Sequence, residues 1–380
     1  MVTEPTHTET TEPAEPVISP DEEAERRAVY SRCERFLGGH GPSRPHAMLA
    51  ALAATTDPDE QADRYGEGEL IEQFEREVAD LLGKEAAVFM PSGTMAQQIA
   101  LRIWSERKRR HTVGFHPTCH LEIHEQKAYQ ALHGLTGRLI GNPHQVITLD
   151  DVKAVHEPLA ALLLELPQRE IGGQLPGWDD LEAQSAWARE RNIAMHMDGA
   201  RLWESAPYYE RSYAEIAALF DTVYVSFYKG IGGIAGAALA GPADFIAEAR
   251  VWQRRHGGNL VQLYPYVIAA REGLRLRLPR FAGYHERAVR IAEALTAVPG
   301  IVVKPNPPQT NMMHVYLRGE PERLKATALT IAREDKVALF AWLAPTDLPD
   351  YWMFELSVGD AAEALTDEEI TGYFRRVMEQ

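Results

Sequence analysis

The sequence has few cysteines and no long apolar run, and these absences exclude several classes of protein. Cys33 and Cys119 are the only cysteines among the 380 residues, so no disulfide framework can form, and no CxxC spacing is present for a structural metal. Two cysteines also fit a reducing cytoplasm, where we expect this protein to act. No stretch approaches the roughly 20 apolar residues that a membrane span needs.

The amino terminus lacks the features of a secretory signal, which are a basic start and an apolar core. Residues 1–18 are instead rich in Thr, Glu and Pro. Such a composition cannot bury enough apolar surface to fold, and we therefore predict a disordered tail over these residues.

Positive charge is scarce as well. Lys and Arg total 39 against 55 Asp and Glu, which gives a formal net charge of −16. A surface this acidic repels phosphate groups, which argues against nucleic acid or an anionic membrane as a partner. The overall composition is that of an ordinary folded protein, with 45% hydrophobic and 25% charged residues.

The length of the chain predicts more than one structural unit. After the tail we predict an N-terminal helix and arm over 19–63, a large domain over 64–280 and a small domain over 281–380. The first helix should begin at Ser19, a capping residue followed by proline, and run to about Phe36.

Short apolar segments alternate with amphipathic ones from residue 70 onward, which is the pattern of βα units in a mainly parallel sheet. Ligands bind such sheets at the carboxyl ends of the strands. Near the end of the chain, strand-like runs at 312–317 and 353–358 predict a small α+β domain. The predicted strands of the main sheet are 86–90, 161–166, 193–197 and 222–227, and the predicted helices are 70–83, 94–110 and 179–192.

Three of these strand ends carry residues suited to chemistry. Ser92, Gly93 and Thr94 join a strand to a helix, and they offer hydroxyls, a tight turn and unpaired N–H groups that suit a phosphate. The alternative is an ordinary capped turn. Asp198 closes an apolar strand, where it could cap a helix, bind a metal or accept a hydrogen bond from a ring nitrogen. No further ligands stand at a familiar metal spacing, so we expect no metal.

The third strand end carries Lys229, which follows a buried strand and precedes a glycine-rich bend. Desolvation in such a place lowers the pKa of the amine and favours Schiff-base chemistry. An isolated lysine on a loop is more often a surface residue, so this position alone decides nothing.

The order of these elements resembles that of fold-type I enzymes, which use pyridoxal 5′-phosphate (PLP). The phosphate turn comes first, an Asp follows about a hundred residues on, and a Lys about thirty after that. More closely, the chain resembles the threonine aldolase and β-eliminating lyase family, and the elements HMDGAR and YKG are the most specific parts of the match. The stretches that carry the resemblance are 64–75, 83–101, 119–126, 165–173, 196–206 and 228–241.

The resemblance implies an α/β fold of the fold-type I PLP-dependent transferase kind, with a mainly parallel central sheet and a smaller C-terminal α+β domain. It also implies PLP as the cofactor. Lys229 would be joined to the aldehyde of the cofactor, and Asp198 would pair with its pyridinium nitrogen. The phosphate would be held by Ser92, Gly93 and Thr94.

Three further residues receive roles from the resemblance alone. His120 would stack on the cofactor ring and transfer protons, and Arg201 would contact the cofactor hydroxyl and the substrate carboxylate. Tyr65 would reach the site of a neighbouring subunit, because family members build their sites across a dimer interface, so a homodimer or homotetramer is expected. The structural alternatives are a core histidine at 120 and a packed aromatic ring at 65.

The chain departs from the family at its substrate-binding positions. Gln168 stands where the family has a second histidine, and an amide cannot act as a base near neutral pH, so His124 or a bound water would replace it. Glu355 stands where the family has an arginine, and a carboxylate there would repel a substrate carboxylate. Arg169 is either a relocated anion partner or an exposed salt-bridging residue.

The resemblance therefore implies a PLP-dependent aldolase with an altered substrate pocket. It would cleave a β-hydroxy-α-amino acid to glycine, or an analogue of glycine, and an aldehyde. The alternative within the same cofactor chemistry is β-elimination, transamination or condensation in a specialised amino-acid pathway. A non-catalytic scaffold is the third hypothesis, and the presence of both Lys229 and Asp198 argues against it.

Overall fold

The fold is given by a computed structural model that describes residues 20–42 and 44–379. The tail predicted over 1–18 and the helix cap predicted at Ser19 lie outside the described residues. Within those described ranges, no helix is long and apolar enough to cross a membrane.

Strands and helices alternate along most of the described chain. The strands are β1 (Arg35–Phe36), β2 (Ala86–Met90), β3 (Thr112–Phe115), β4 (Thr136–Leu139), β5 (Ala161–Glu165), β6 (Ala194–Gly199), β7 (Thr222–Ser226), β8 (Ala237–Gly241), β9 (Ile301–Lys304), β10 (Met312–Arg318), β11 (Val337–Ala338), β12 (Ala344–Pro345) and β13 (Tyr351–Ser357). The α-helices are α1 (Pro20–Tyr30), α2 (Pro45–Thr55), α3 (Glu69–Leu81), α4 (Gly93–Lys108), α5 (His120–Ile123), α6 (Ala128–His133), α7 (Leu149–Lys153), α8 (Trp178–Glu190), α9 (Leu202–Tyr209), α10 (Tyr213–Ala217), α11 (Ala243–Arg255), α12 (Tyr264–Arg277), α13 (Phe281–Thr296), α14 (Pro321–Glu334) and α15 (Asp367–Met378).

Seven strands form the central sheet, in the order β2-β8-β7-β6-β5-β3-β4. Strand β8 is antiparallel to both of its neighbours, β2 and β7, and the other pairs are parallel. The mainly parallel sheet that the sequence predicts is therefore confirmed. The carboxyl ends of the six parallel strands share one edge, which is where such sheets bind ligands.

Helices cover both faces of the sheet, which explains why its strands are apolar on both sides. On one face, Phe74 of α3 packs against Phe89 and Phe227, with ring centroids 6.0 and 5.2 Å away. On the other face, Val88 of β2 and Ile99 of α4 lie in the buried apolar layer that covers that side of the sheet. Every residue of β6 and β7 is buried, so polar side chains on these strands are removed from water.

A second core lies between the antiparallel sheet β12-β13-β10-β9 and the helices α13 to α15. Leu37 is fully buried in this core, and α1 packs against α14. The amino-terminal segment therefore belongs to the same packing unit as the C-terminal residues. Thr366 and Glu369 form a capping box at the start of α15.

The first helix is shorter than the sequence predicts. It ends at Tyr30 instead of near Phe36, and the residues after it form β1, which pairs in parallel with β11. This pairing brings Leu37 into the second core, where it is shielded from water. A long-range strand pairing of this kind overrides local helical periodicity, and one sequence does not reveal it.

Glu75 on α3 is a buried charge that joins this helix to the sheet and to α11. Glu75 is only 4% exposed, and its carboxylate accepts a hydrogen bond of 2.7 Å from the backbone N–H of Phe89. Arg250 of α11 forms an ion pair with it. Burial raises the pKa of Glu75, and Arg250 opposes that shift.

We expect Arg250→Ala to lower the free energy of unfolding by about 2 kcal/mol, because it leaves a buried carboxylate without its counter-ion while Arg250 itself is partly solvated. Denaturant unfolding measures this quantity. Arg254→Ala, at an exposed position of the same helix, is the matched control and should change it by less than about 0.5 kcal/mol. Equal losses in the two variants would contradict the role given to the pair.

Candidate active site

The strand ends that the sequence singles out lie together at one edge of the central sheet. Ser92 follows β2, Asp198 is the last residue but one of β6, and Lys229 comes three residues after β7. Glu165 ends β5, and His120 begins the short helix after β3. Asp198, Glu165 and Lys229 are near enough to shift one another's pKa values.

Lys229 occupies a largely dehydrated position. Burial lowers the pKa of its amine, and the Arg201 guanidinium lowers it further, whereas the carboxylates of Asp198 and Glu165 raise it. The net shift is downward. More of this amine is therefore neutral and nucleophilic near neutral pH than in an exposed lysine.

Asp198 is a buried carboxylate with capacity for one more donor. It is 2% exposed. Its Oδ1 accepts a hydrogen bond of 3.0 Å from the N–H of Ala200, and its Oδ2 accepts one from the side-chain amide of Gln97. Burial raises the pKa of Asp198, and the Lys229 ammonium opposes that shift. An ionised carboxylate has about four acceptor positions, so a further N–H can bind.

The turn before α4 caps the helix, and its N–H groups suit an anion. Ser92 Oγ accepts a hydrogen bond of 3.3 Å from the N–H of Met95 and caps the helix. A Cβ at Gly93 would lie 1.9 Å from the Tyr224 hydroxyl oxygen, so packing alone demands glycine there. Thr94 is exposed in the first turn. The first N–H groups of a helix have no acceptor within it, which leaves them free for a phosphate.

His120 presents a partly exposed ring, with 30% of its side chain accessible, so it is not a core histidine. Its Nδ1 lies 3.0 Å from Glu125 Oε1, and the other oxygen of Glu125 accepts a hydrogen bond of 2.7 Å from the Gln98 amide. The ring of His124 is 5.1 Å away. His124 Nε2 lies 2.8 Å from Glu170 Oε1, so a carboxylate orients this second imidazole as well.

Gln168 points toward Glu165 and is 4% exposed. Its amide nitrogen lies 3.3 Å from Glu165 Oε2 and 3.4 Å from the carbonyl oxygen of Thr118. Burial, together with the nearby charge of Asp198, raises the pKa of Glu165 to about 7. Gln168 stands where the family has a histidine base. It contacts a carboxyl group whose pKa is near 7.

Glu355 of β13 lies between two arginines. Its Oε2 is 2.7 Å from Nε of Arg169, and its Oε1 is 3.9 Å from Nη2 of Arg201. Nη1 of Arg169 is also 3.0 Å from Glu170 Oε1. The structure thus places Arg169 in a salt bridge that is mostly shielded from solvent, with 26% of its side chain accessible. Because its charge is matched in this way, Glu355 repels a nearby carboxylate less than its sequence position suggests.

Glu204 on α9 is a site residue that the sequence analysis missed. It is 3% exposed, and its Oε2 has no hydrogen-bond partner among the described residues. Burial raises the pKa of Glu204 to about 7, and the Arg201 guanidinium opposes that shift. A Cβ at Gly230 would lie 2.6 Å from Glu204 Oε1, so the glycine after Lys229 makes room for this carboxyl. The signal available was its position one helical turn after Arg201.

Tyr65 is 50% exposed. It has positive φ, and its N–H donates a hydrogen bond of 3.0 Å to the carbonyl oxygen of Val261. Val261 is 57% exposed. The backbones of two exposed apolar residues are therefore joined at the surface.

The residues at this sheet edge fit PLP. The site offers an amine of lowered pKa at Lys229, a buried carboxylate with spare acceptor capacity at Asp198, and a glycine turn at the N-terminus of α4. The unpaired oxygen of Glu204 adds polar capacity that the described residues do not satisfy. The fold and these groups together define a fold-type I PLP-dependent enzyme.

Comparisons with known proteins agree with this class. The β-eliminating lyase family model matches residues 43–318. The low specificity L-threonine aldolase of Escherichia coli (strain K12) is 30% identical over 285 residues, which cover 73% of this chain and 82% of that enzyme. The chain therefore belongs to the β-eliminating lyase family, and it is a PLP-dependent lyase of the threonine aldolase type.

Solved structures support the same assignment. A Listeria monocytogenes protein assigned as an L-allo-threonine aldolase is 45% identical, with a TM-score of 0.89 over 93% of this chain and 98% of that one. An Exiguobacterium protein assigned as an aromatic amino acid β-eliminating lyase/threonine aldolase is also 45% identical, with a TM-score of 0.88 over 93% and 99%. The Leishmania major threonine aldolase, at 19% identity and a TM-score of 0.70, shares the fold.

The state of Glu204 predicts how stability depends on pH. An acid whose pKa is raised on folding binds its proton more tightly when folded, so stability falls as pH rises from the unfolded pKa to the folded one. For a shift from 4.5 to about 7, the loss is about 3 kcal/mol at pH values above both. We expect Glu204→Gln to raise the Tm relative to the wild type at pH 8, with a smaller difference at pH 5.

Thermal unfolding followed by circular dichroism at the two pH values measures this difference. Glu182→Gln, at an exposed position of α8, is the control and should leave the Tm unchanged at both. A Glu204→Gln variant with the same Tm advantage at pH 5 and pH 8 would show that the buried charge is not the cause.

Proposed function

We propose that this enzyme cleaves the Cα–Cβ bond of a small β-hydroxy-α-amino acid to give glycine, or an analogue, and an aldehyde. The observation that carries the proposal is the dehydrated Lys229 amine beside the buried Asp198 carboxylate, in a chain that belongs to this family. Bound PLP supplies a conjugated ring that accepts the electron pair released when the bond breaks.

Lys229 and Asp198 hold the cofactor in this proposal, and His120 and the α4 turn complete its binding. The partly neutral amine of Lys229 would hold the cofactor through its aldehyde, and Asp198 would accept the ring N–H at its remaining acceptor position. The ring of His120, whose Nδ1 is held by Glu125, would stack on the cofactor. Ser92, Gly93 and Thr94 bind the phosphate through N–H and hydroxyl groups.

The substrate carboxylate is bound by Arg169 and Arg201 in this proposal. Both guanidinium groups converge on Glu355, at 2.7 and 3.9 Å, so this carboxylate holds them side by side. A guanidinium has five N–H donors, and the Glu355 contacts leave several of them available. Glu355 is then a positioning residue, and Arg169 supplies the positive charge that the family places on the C-terminal strand.

The proton of the β-hydroxyl is taken by His124. Gln168 cannot act as a base, and its amide is directed to Glu165. His124 lies beside His120, is 40% accessible, and is oriented by Glu170 at 2.8 Å. The carboxylate of Glu170 fixes the orientation of this imidazole, as a general base requires.

The enzyme acts as a homodimer or as a pair of such dimers, with Tyr65 and Val261 at the subunit interface. Their joint exposure on one protomer supports this, because clustered apolar side chains on a surface mark contact sites. We also place the enzyme in the cytoplasm, where the two buried thiols of Cys33 and Cys119 stay reduced.

Purified protein should take up PLP with a visible absorption band and should release glycine from L-allo-threonine, L-threonine or L-phenylserine. Lys229→Ala should lose both the covalently held band and at least about 1,000-fold of kcat/KM, since the nucleophile is removed. Pyruvate or another oxo acid as the main product, without glycine, would replace aldol cleavage by elimination or transamination. A wild-type protein that never binds PLP would contradict the proposal itself.

Arg169→Met should raise the KM for the amino-acid substrate about tenfold or more, with a smaller change in kcat, because it removes a charge-assisted hydrogen bond that exists before the reaction begins. Steady-state kinetics on the released aldehyde measure both constants. Arg191→Met, at a largely exposed position after α8, serves as the control and should leave them unchanged. An unchanged KM in Arg169→Met would mean that another group binds the carboxylate.

A further inference from the structure

A continuous chain of buried hydrogen bonds runs from the core of the large domain to Asp198. Trp104 Nε1 lies 2.8 Å from Thr222 Oγ1, and Thr222 Oγ1 lies 2.8 Å from Nδ1 of His196. His196 Nε2 lies 2.7 Å from Gln97 Oε1, and the Gln97 amide nitrogen bonds to Asp198 Oδ2. All five residues are between 0 and 8% exposed. Four of them have no role in the proposed reaction.

Regular secondary structure builds this chain. Gln97 and Trp104 are seven residues apart on α4, which places them on one face, two turns from each other. His196 and Asp198 are two residues apart on β6, and so they point to the same side of the sheet. Thr222 is the register partner of His196 on β7. Each link therefore comes from a rigid element.

Trp104, at the far end of this chain of hydrogen bonds, sets the direction in which the groups donate. An indole N–H can only donate, so the Thr222 oxygen accepts from Trp104 and its own hydrogen goes to Nδ1 of His196. Burial lowers the pKa of His196 to about 3, which keeps the ring neutral with one proton. That proton is then on Nε2 and is donated to the carbonyl oxygen of Gln97. The Gln97 amide N–H is left to donate to Asp198.

The reverse direction leaves one hydrogen without an acceptor in the chain. If Asp198 were protonated and donated to Gln97, the His196 ring would donate from Nδ1 to Thr222. The Thr222 oxygen would then receive two donors, from His196 and Trp104, and its own hydrogen would have no partner within the chain. A buried donor without a partner is costly. The direction of the chain is thus linked to the ionisation of the carboxylate.

We propose that Trp104, Thr222, His196 and Gln97 are positioning residues that hold Asp198 as a hydrogen-bond-accepting carboxylate, the state in which it keeps the ring nitrogen of PLP protonated. This inference rests on the proposed role of Asp198 in cofactor binding.

The other charged and titratable groups around Asp198 act in opposing directions. Lys229 and His120 favour its ionised form, and Glu125 opposes it. Glu165, itself raised in pKa by Asp198, opposes it as well. The pKa values of Cys119 and Tyr224 are also raised by its charge. Burial is the largest influence and raises the pKa of Asp198, so the loss of a donor from the chain should raise it further by a measurable amount.

The test is a titration of the visible absorption band of the holoenzyme with pH. A protonated ring nitrogen eases loss of the proton on the Lys229 nitrogen, so a weaker Asp198 moves the midpoint of the titration to higher pH. We expect a rise of about one pH unit in Gln97→Met, with about tenfold weaker PLP binding. Thr222→Val should show a smaller rise of the midpoint. Asp198→Asn removes the carboxylate itself and should show the largest rise.

Two matched variants separate positioning from packing. Thr222→Ser keeps the hydroxyl and should restore the wild-type midpoint. Ser105→Ala, a buried polar position on α4 outside the chain, should lower the Tm without moving the midpoint. Nitrogen-15 spectra of labelled histidine should show His196 neutral and protonated at Nε2, identified by its loss in His196→Gln.

Two results would overturn the inference. One is a His196 proton on Nδ1, and the other is a Gln97→Met holoenzyme whose midpoint and PLP affinity match those of the wild type. Either can occur while the wild-type protein binds PLP normally, in which case the proposed function stands. A wild-type protein without a visible band is instead a failure of the proposed function.

Discussion

The buried charge of Asp198 is the constraint on which the rest of the site depends. An ionised carboxylate removed from water costs several kcal/mol unless donors and opposite charge surround it. Here the N–H of Ala200, the Gln97 amide and the Lys229 ammonium provide that compensation. The fold makes the position dry, because β6 is buried along its whole length in the centre of the sheet. Stability and cofactor chemistry therefore impose the same requirement on this residue.

The proposed cofactor-binding residues and the proposed carboxylate-binding residues come from different parts of the chain. Strand ends of the large sheet supply the cofactor groups, whereas β13 of the second sheet supplies Glu355 and the loop after β5 supplies Arg169. Exchanging the charges between these two elements keeps the local balance, since a negative residue on β13 meets a positive one after β5. Under the proposed function, the anion site that the sequence lacks on β13 is supplied by Arg169 from the segment after β5.

Sequence reasoning found the residues whose position along the chain carries the signal. Asp198 and Lys229 stand directly after apolar runs, and the parallel sheet then brings them to one edge. It missed Glu204, which belongs to no motif and is notable only because its carboxyl is buried without a partner. It also missed the pairing of β1 with β11, because the partner strands are about 300 residues apart and no local pattern links them.

The glycines of the two loop motifs show why packing and function cannot be separated here. A Cβ at Gly93 would overlap the Tyr224 ring and its hydroxyl, and a Cβ at Gly230 would displace the Glu204 carboxyl from its present place. Both groups belong to buried polar side chains near the site, so the glycines are needed before any ligand binds. The glycines of such a motif therefore reflect the buried polar groups behind a binding loop as well as the ligand that the loop binds. Those buried groups also set the electrostatics of the site.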